Sequence, residues 1–181
     1  MVELSAKNPC EGLLPIEVGQ CRLSEAVPLQ VTLLSPYKNK RKYLSLALRA
    51  AYGVALPAVG RSSAKAGVRC IWFGLDQVML FGAEPDKSLA KFAAIVDQSD
   101  AWAFVRLEGE LAESVLARLV PVDVRLAVFK RGYVLRSLLQ HLNVTIIRVG
   151  VQSFEIIAPR SMAKTLLHDL ERAMRSVAAQ T

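Results

Sequence analysis

The chain has 181 residues, of which 52% are hydrophobic and 22% charged, and its mean hydropathy is +0.30. This composition is typical of a globular protein and excludes a disordered chain. A membrane helix is also excluded, because no stretch reaches the roughly 18 to 20 uninterrupted apolar residues that a span needs. The N-terminus lacks the basic and apolar regions of a signal peptide, so we expect a cytoplasmic protein. Either a large core or apolar surface covered by a partner explains the high hydropathy.

The chain is basic, with a formal net charge of +7 and an isoelectric point near 9.6. Such a charge raises the question of nucleic-acid binding. Its densest basic run, Lys38-Asn39-Lys40-Arg41-Lys42, stands at the start of an expected helix, where positive charge opposes the helix dipole. No stripe of interleaved aromatic residues accompanies it, as base stacking would require. The run therefore favours a solvated helix start or a patch facing an acidic protein partner.

Cysteine and histidine are too few and too scattered to form a structural metal site. A zinc site of that kind needs about four ligands, usually in short paired spacings. An odd number of cysteines without a close pair is also atypical of a disulfide framework, and it indicates reduced thiols. The residues concerned are Cys10, Cys21, Cys70, His141 and His168.

The pattern along the chain predicts an irregular N-terminal arm over 1–26 and a single domain over 27–181. The domain opens with a strand over 29–34, which ends at a Ser-Pro turn. Apolar residues then recur at helical spacing over 37–52, and Gly53 ends that helix. A loop rich in Gly, Ser and Ala follows over 57–67.

Alternating apolar residues next predict a hairpin of two strands, over 68–73 and 77–81. A helix is expected over 84–94, because Pro85 lies where its missing N–H costs little. A strand over 101–107 and an amphipathic helix over 110–119 follow.

The last third predicts strands over 134–139, 144–149 and 152–158, and then a helix over 160–178. Strands joined by hairpins and backed by helices predict an α+β fold with antiparallel sheets that carry their helices on one face.

The two halves of the domain, 27–100 and 101–181, have the same predicted order of elements. Each predicts a strand, a helix, a two-stranded hairpin and a further helix, which indicates an internal duplication, with chance similarity as the alternative. Gly74 and Gly150 stand at corresponding hairpin turns, and we expect both to adopt positive φ.

Motifs that cradle phosphate or present a nucleophile are absent from the sequence. Asp97 and Asp100 form the one tempting carboxylate pair, although capping of turns explains them more simply. His141 could act as a general base or be a buried core histidine, and the second role is favoured. Trp72 and Trp102 have the character of core or interface anchors.

Several segments, taken in order, resemble the γ subunit family of heterotetrameric sarcosine oxidase. They cover about two thirds of the chain, roughly 55–173. Leu75 and Gln98 depart from the family, which often has proline and an aliphatic residue there. The matching segments are Ala55-Leu56-Pro57 with Gly60-Arg61, Trp72-Phe73-Gly74-Leu75-Asp76, Val96-Asp97-Gln98-Ser99-Asp100-Ala101-Trp102, Arg136-Ser137-Leu138-Leu139-Gln140-His141 and Pro159-Arg160-Ser161-Met162-Ala163.

This resemblance implies a non-catalytic subunit, similar to a piece of the folate-binding aminomethyltransferase (T-protein) fold. The family's complex oxidises sarcosine to glycine, produces hydrogen peroxide and passes the one-carbon unit to tetrahydrofolate. The resemblance implies FAD, FMN, NAD and zinc on partner subunits and none on this chain. The expected partners are the large flavoprotein subunits, with no nucleic acid and no membrane. The candidate structural or interface residues are Asp97, Asp100, Trp102, Arg136, His141 and Arg160.

Two other classes of function stay open. The chain could be a stand-alone folate-binding aminomethyltransferase-like protein, although it has about half the length that such an enzyme needs. It could also be a small basic RNA-binding module, in which case binding to generic RNA should weaken steeply with salt.

Overall fold

The computed structural model describes residues 7–26, 28 and 30–180, which form four layers. A five-stranded and a six-stranded antiparallel sheet pack face to face in the middle. The outer face of each sheet is covered by helices. The predicted α+β class, with antiparallel sheets backed on one face by helices, is confirmed.

The five-stranded sheet and its helices come mainly from the first half of the chain. Its strands lie in the spatial order β4-β5-β6-β3-β7. Helix α1 (Arg41–Tyr52) and a 3₁₀ turn (Lys87–Lys91) cover the outer face. The strands are β3 (Val31–Pro36), β4 (Ser62–Lys65), β5 (Val68–Gly74), β6 (Gln77–Phe81) and β7 (Ala93–Asp97).

The six-stranded sheet has the order β1-β2-β8-β11-β10-β9. Helices α2 (Ala112–Ala117) and α3 (Ala163–Ala178) cover its outer face, and a 3₁₀ turn (Arg160–Met162) leads into α3. The strands are β1 (Ile16–Val18), β2 (Cys21–Glu25), β8 (Trp102–Gly109), β9 (Val134–Leu139), β10 (Leu142–Arg148) and β11 (Ser153–Pro159).

Burial of both sheet faces accounts for the high hydropathy. Along β6, Val78 and Leu80 pack towards α1, whereas Met79 and Phe81 pack against the other sheet. Because successive side chains point to opposite faces, a strand covered on both sides must be apolar at nearly every position.

The N-terminal segment corrects the predicted irregular arm. Residues 16–25 form β1 and β2, and β2 pairs with β8 inside the larger sheet. The turn is the two-residue loop Gly19-Gln20 between Val18 and Cys21, with Gly19 at φ +56°. The first six residues of the predicted arm lie outside the described residues.

Two other expectations about local structure were wrong. The loop over 57–67 contains β4, which pairs with β5 across a turn whose residues Ala66 and Gly67 both have positive φ. The helix over 84–94 shortens to the 3₁₀ turn. Ala93–Asp97 instead forms β7, because its backbone pairs with the edge of β3.

Strand order is the same in the two halves. The spatial order β4-β5-β6-β3 corresponds to β9-β10-β11-β8, with every pairing antiparallel. A duplicated unit requires this correspondence. The predicted positive φ at Gly74 and Gly150 was wrong, and in the first hairpin Asp76 takes that conformation with φ +49°.

Candidate functional site

The two sheets are joined at one edge by reciprocal backbone hydrogen bonds. The Ser62 N–H donates to the Gly132 carbonyl and the Val134 N–H donates to the Gly60 carbonyl, both at 2.9 Å. Gly60 and Gly132 have φ of +68° and +81°, a region that glycine enters at little cost. Gly60 and Gly132 thus occupy corresponding positions in the two halves, as Gly74 and Gly150 do at the β5–β6 and β10–β11 turns.

The same edge carries an arginine stacked on a tyrosine. The Arg61 guanidinium lies 3.4 Å from the centre of the Tyr133 ring, and the two residues form an isolated β-bridge. Their carbonyls accept equivalent hydrogen bonds, from Trp72 N–H at 3.0 Å and from Arg148 N–H at 3.1 Å. A cation–π contact therefore reinforces the junction of the halves.

A second junction brings together two of the predicted site residues, Arg136 and Trp102. The Arg136 guanidinium lies 4.4 Å from the centre of the Phe73 ring, and its Nη1 donates to the Phe73 carbonyl at 2.6 Å. Trp102 meets the same ring edge-on, with centroids 5.1 Å apart, and its Nε1 donates to Gln98 at 3.2 Å. Both side chains are thus engaged in holding the sheets together.

The predicted carboxylate pair does not act as a unit. Asp97 accepts from the backbone N–H and the hydroxyl of Ser99, at 3.0 and 2.7 Å, and these bonds hold its pKa below the usual range. Asp100 has a side chain that is 99% exposed and lies 3.8 Å from Arg160. Arg160 also donates to the Lys7 carbonyl. These contacts belong to a turn and to the start of the α3 segment.

His141 departs from the favoured expectation of a buried core residue. It lies with Gln140 in the two-residue turn between β9 and β10, where Leu139 pairs with Leu142, and its side chain is exposed. A turn of this length needs an unusual backbone, which Gln140 supplies with φ +54°.

Among the described residues, the most deeply buried charge is one that sequence reasoning missed. Arg148 is fully buried and pairs with Glu113 of α2 at 2.7 Å. It also donates to the carbonyls of Val124 and Val151, and its guanidinium lies 4.3 Å from the centre of the Phe154 ring. This one side chain therefore ties two surface loops to α2 and to the sheet.

A second buried ionic group lies between the sheets. Glu155 accepts from Arg106 at 2.7 Å and from Arg69 of the opposite sheet. It is 6% exposed, and it borders a cleft of about 730 Å³ that Phe81 also lines. A glutamate inside the apolar strand Ser153–Pro159 was the sequence signal for this group, because a buried carboxylate needs cationic partners.

Within 7–26, 28 and 30–180, no three His, Cys, Asp or Glu side chains are grouped closely enough to hold a metal ion. In that same described part of the chain, no helix is both long and apolar enough to cross a membrane. Cys10, Cys21 and Cys70 are free and buried.

These observations define a class: a four-layer α+β protein with a repeated strand order, whose buried charges cross-link strands and loops. No protein-family model matches the chain. It is 29% identical over 143 residues to the sarcosine oxidase subunit gamma of Corynebacterium sp. (strain U-96). The aligned region covers 74% of this chain and 70% of the relative.

A solved structure extends that similarity to the whole fold. Heterotetrameric sarcosine oxidase from Corynebacterium sp. U-96, in complex with pyrrole 2-carboxylate, contains a chain that matches with a TM-score of 0.81. The match has 25% sequence identity and covers 96% of each chain. The resemblance to the sarcosine oxidase γ subunit, predicted from short motifs, is confirmed.

Proposed function

We propose that this chain is the non-catalytic γ subunit of a heterotetrameric sarcosine oxidase-type complex. The observation that carries the proposal is the fold match over 96% of both chains, since a shared segment alone would not extend from end to end. The independent similarity to a subunit gamma over 74% of this chain supports the same role.

In this proposal the chemistry takes place on other subunits. The partner subunits, large flavoproteins among them, hold FAD, FMN, NAD and zinc, and they oxidise sarcosine to glycine with tetrahydrofolate as the one-carbon acceptor. The complex works in the cytoplasm. The internal engagement of Arg148, Glu155 and Arg136 supports a structural role for this chain, because charged side chains bound within a fold are not free to act on a substrate.

The predicted site residues then serve structure or assembly. Trp102 and Arg136 fix the sheets through Phe73, and Arg160 anchors the segment before α3. As part of the same proposal, 27–181 is a single domain made of two repeat halves, 27–100 and 101–181. The other predicted site residues, to which the same structural or assembly role is assigned, are Asp97, Asp100 and His141.

The test measures peroxide release with and without this chain. The purified chain should be colourless and give no sarcosine-dependent hydrogen peroxide, whereas the complex purified with its partner subunits should give it. A flavin absorption band that stays with the isolated chain through gel filtration would contradict the proposal.

A further inference from the structure

The outer face of α1 carries a concentrated positive charge. Its basic residues are exposed and come from the turn before the helix and from successive helical turns. We call this set the basic face, and it consists of Lys38, Lys40, Lys42 and Arg49.

An apolar stripe runs through the basic face. Tyr43 and Leu46 are 53% and 55% exposed, and Ala50 is exposed one turn further along. The spacing of three and then four residues places the three side chains on one side of the helix, while Leu44 and Leu48 on the opposite side pack into the core. An apolar centre with a charged rim is the anatomy of a protein interface.

The charge of the basic face is poorly compensated within the described residues. Arg41, on the side of α1 that carries Leu44 and Leu48, lies 3.6 Å from Asp76. Within the described residues, no ion pair is found for Lys38, Lys40 or Lys42 of the basic face. The first turn of α1 has no acidic residue, and Lys40 at the N-cap makes no side-chain capping bond. Positive charges at this end oppose the helix dipole, so they cost stability in the isolated chain. Carboxylates from outside would offset that cost.

We propose that the basic face and its apolar stripe dock on an acidic surface of a partner protein subunit. This inference rests on the proposed function, which supplies the heteromeric assembly. Opposite charges at an interface rim speed association and fix orientation. The burial of Tyr43 and Leu46 would supply apolar area at its centre.

The contacts of Tyr43 favour a protein partner over a nucleic acid. Its ring already stacks on Phe92, with centroids 6.1 Å apart and planes 14° from parallel. The ammonium of Lys40 lies 5.3 Å from its centre. Base stacking requires an open ring face, and this ring is engaged within the chain. Leu46 offers aliphatic surface, which suits an apolar side chain.

The test uses the complex with charge-reversed variants. K40E/K42E is compared with K130E/R131E, whose residues are exposed on the loop before β9 and whose reversal changes the net charge equally. At about 0.15 M salt, K40E/K42E should bind the partner subunits at least about tenfold more weakly. The control should stay within about twofold of wild type. The isolated K40E/K42E chain should be at least as stable as wild type, because acidic residues suit a helix start.

Each outcome has a distinct meaning. If wild type does not co-purify with flavoprotein subunits, the proposed function fails and the docking surface with it. If wild type co-purifies and K40E/K42E binds equally well, the docking surface alone is overturned. The same holds if K130E/R131E is the variant that dissociates. Binding of a generic single-stranded RNA by wild type, lost in K40E/K42E while the complex stays intact, would also overturn the protein partner.

Discussion

Replacing Arg148 with methionine tests whether one buried charge holds two loops in place. Methionine keeps an unbranched apolar stem against Phe154 but removes the guanidinium, which is fully buried. Three acceptors lose their donor: the carboxylate of Glu113 and the carbonyls of Val124 and Val151.

The magnitude follows from how exposed those acceptors are. Breaking a fully buried ion pair from one side costs about 3–5 kcal/mol. The side chain of Glu113 is 36% exposed, so water can take the place of the lost donor there. The hydrogen bond from Arg148 to the Val124 carbonyl is buried, so water cannot replace the lost donor there. Leaving that carbonyl unpaired costs about 1–3 kcal/mol. Among the described residues, the buried Nε of Arg148 has no hydrogen-bond partner, so its removal offsets part of the lost stability. We expect a loss of about 3 kcal/mol in total.

The matched variant is Glu113→Gln. Its amide oxygen can still accept from the Leu126 N–H, which lies 3.1 Å from the carboxylate in wild type, but the fully buried Arg148 loses its paired charge, so the loss should also be about 3 kcal/mol. Urea unfolding followed by circular dichroism measures both, with an unchanged slope required for the comparison. If R148M unfolds within about 1 kcal/mol of wild type, the reasoning about unpaired buried carbonyls is refuted.

Three further predictions concern backbone strain, thiol reactivity and acid stability. Gly109→Ala should lower stability by at least about 3 kcal/mol in thermal unfolding, because φ is +127° and a Cβ would lie 1.9 Å from the Gln20 carbonyl oxygen; a normal melting temperature would contradict this. Burial raises the pKa of the Cys70 thiol to about 12, so it should resist a disulfide reagent at pH 8 until the chain unfolds. Rapid native labelling of Cys70 would show that the core opens. Hydrogen bonds from Arg125 lower the pKa of Asp123 from 3.8 to about 2. A lowered folded pKa gives stability that is present above 3.8 and lost as pH falls through about 2. D123N should therefore lose less stability than wild type as the pH falls from 3.8 to about 2. The same dependence of stability on pH in both proteins would contradict this contribution.

Sequence reasoning located the elements that carry a strong local pattern. The helix that ends at Gly53 was found because the apolar period stops at a residue that takes φ +71°. The hairpin of β5 and β6 and the strands β8 to β11 were found because they are long and apolar. In each case the signal lies within the element itself.

The missed strands are short and depend on their neighbours. Residues Ser62–Lys65 of β4 are poor strand formers, and the pairing with β5 holds them. The strand β7 begins where a helix was expected, because pairing with β3 satisfies its backbone in a way that the local sequence does not specify.

The site was predictable in part. Short motifs indicated Arg136 and Trp102, and the structure brings them together through Phe73. Their meeting could not be derived from sequence, because it requires the two sheets to pack face to face. Arg148 gave no signal, since a basic residue at the end of a strand is ordinarily solvated.

The central claim, membership in a heteromeric sarcosine oxidase-type complex, is tested most directly by native mass spectrometry. A tagged copy of the chain would be recovered from its host under gentle conditions. The account predicts a single heteromeric species that contains this chain together with flavin-bearing subunits. Recovery of the chain as a monomer, with no flavoprotein beside it, would contradict the account.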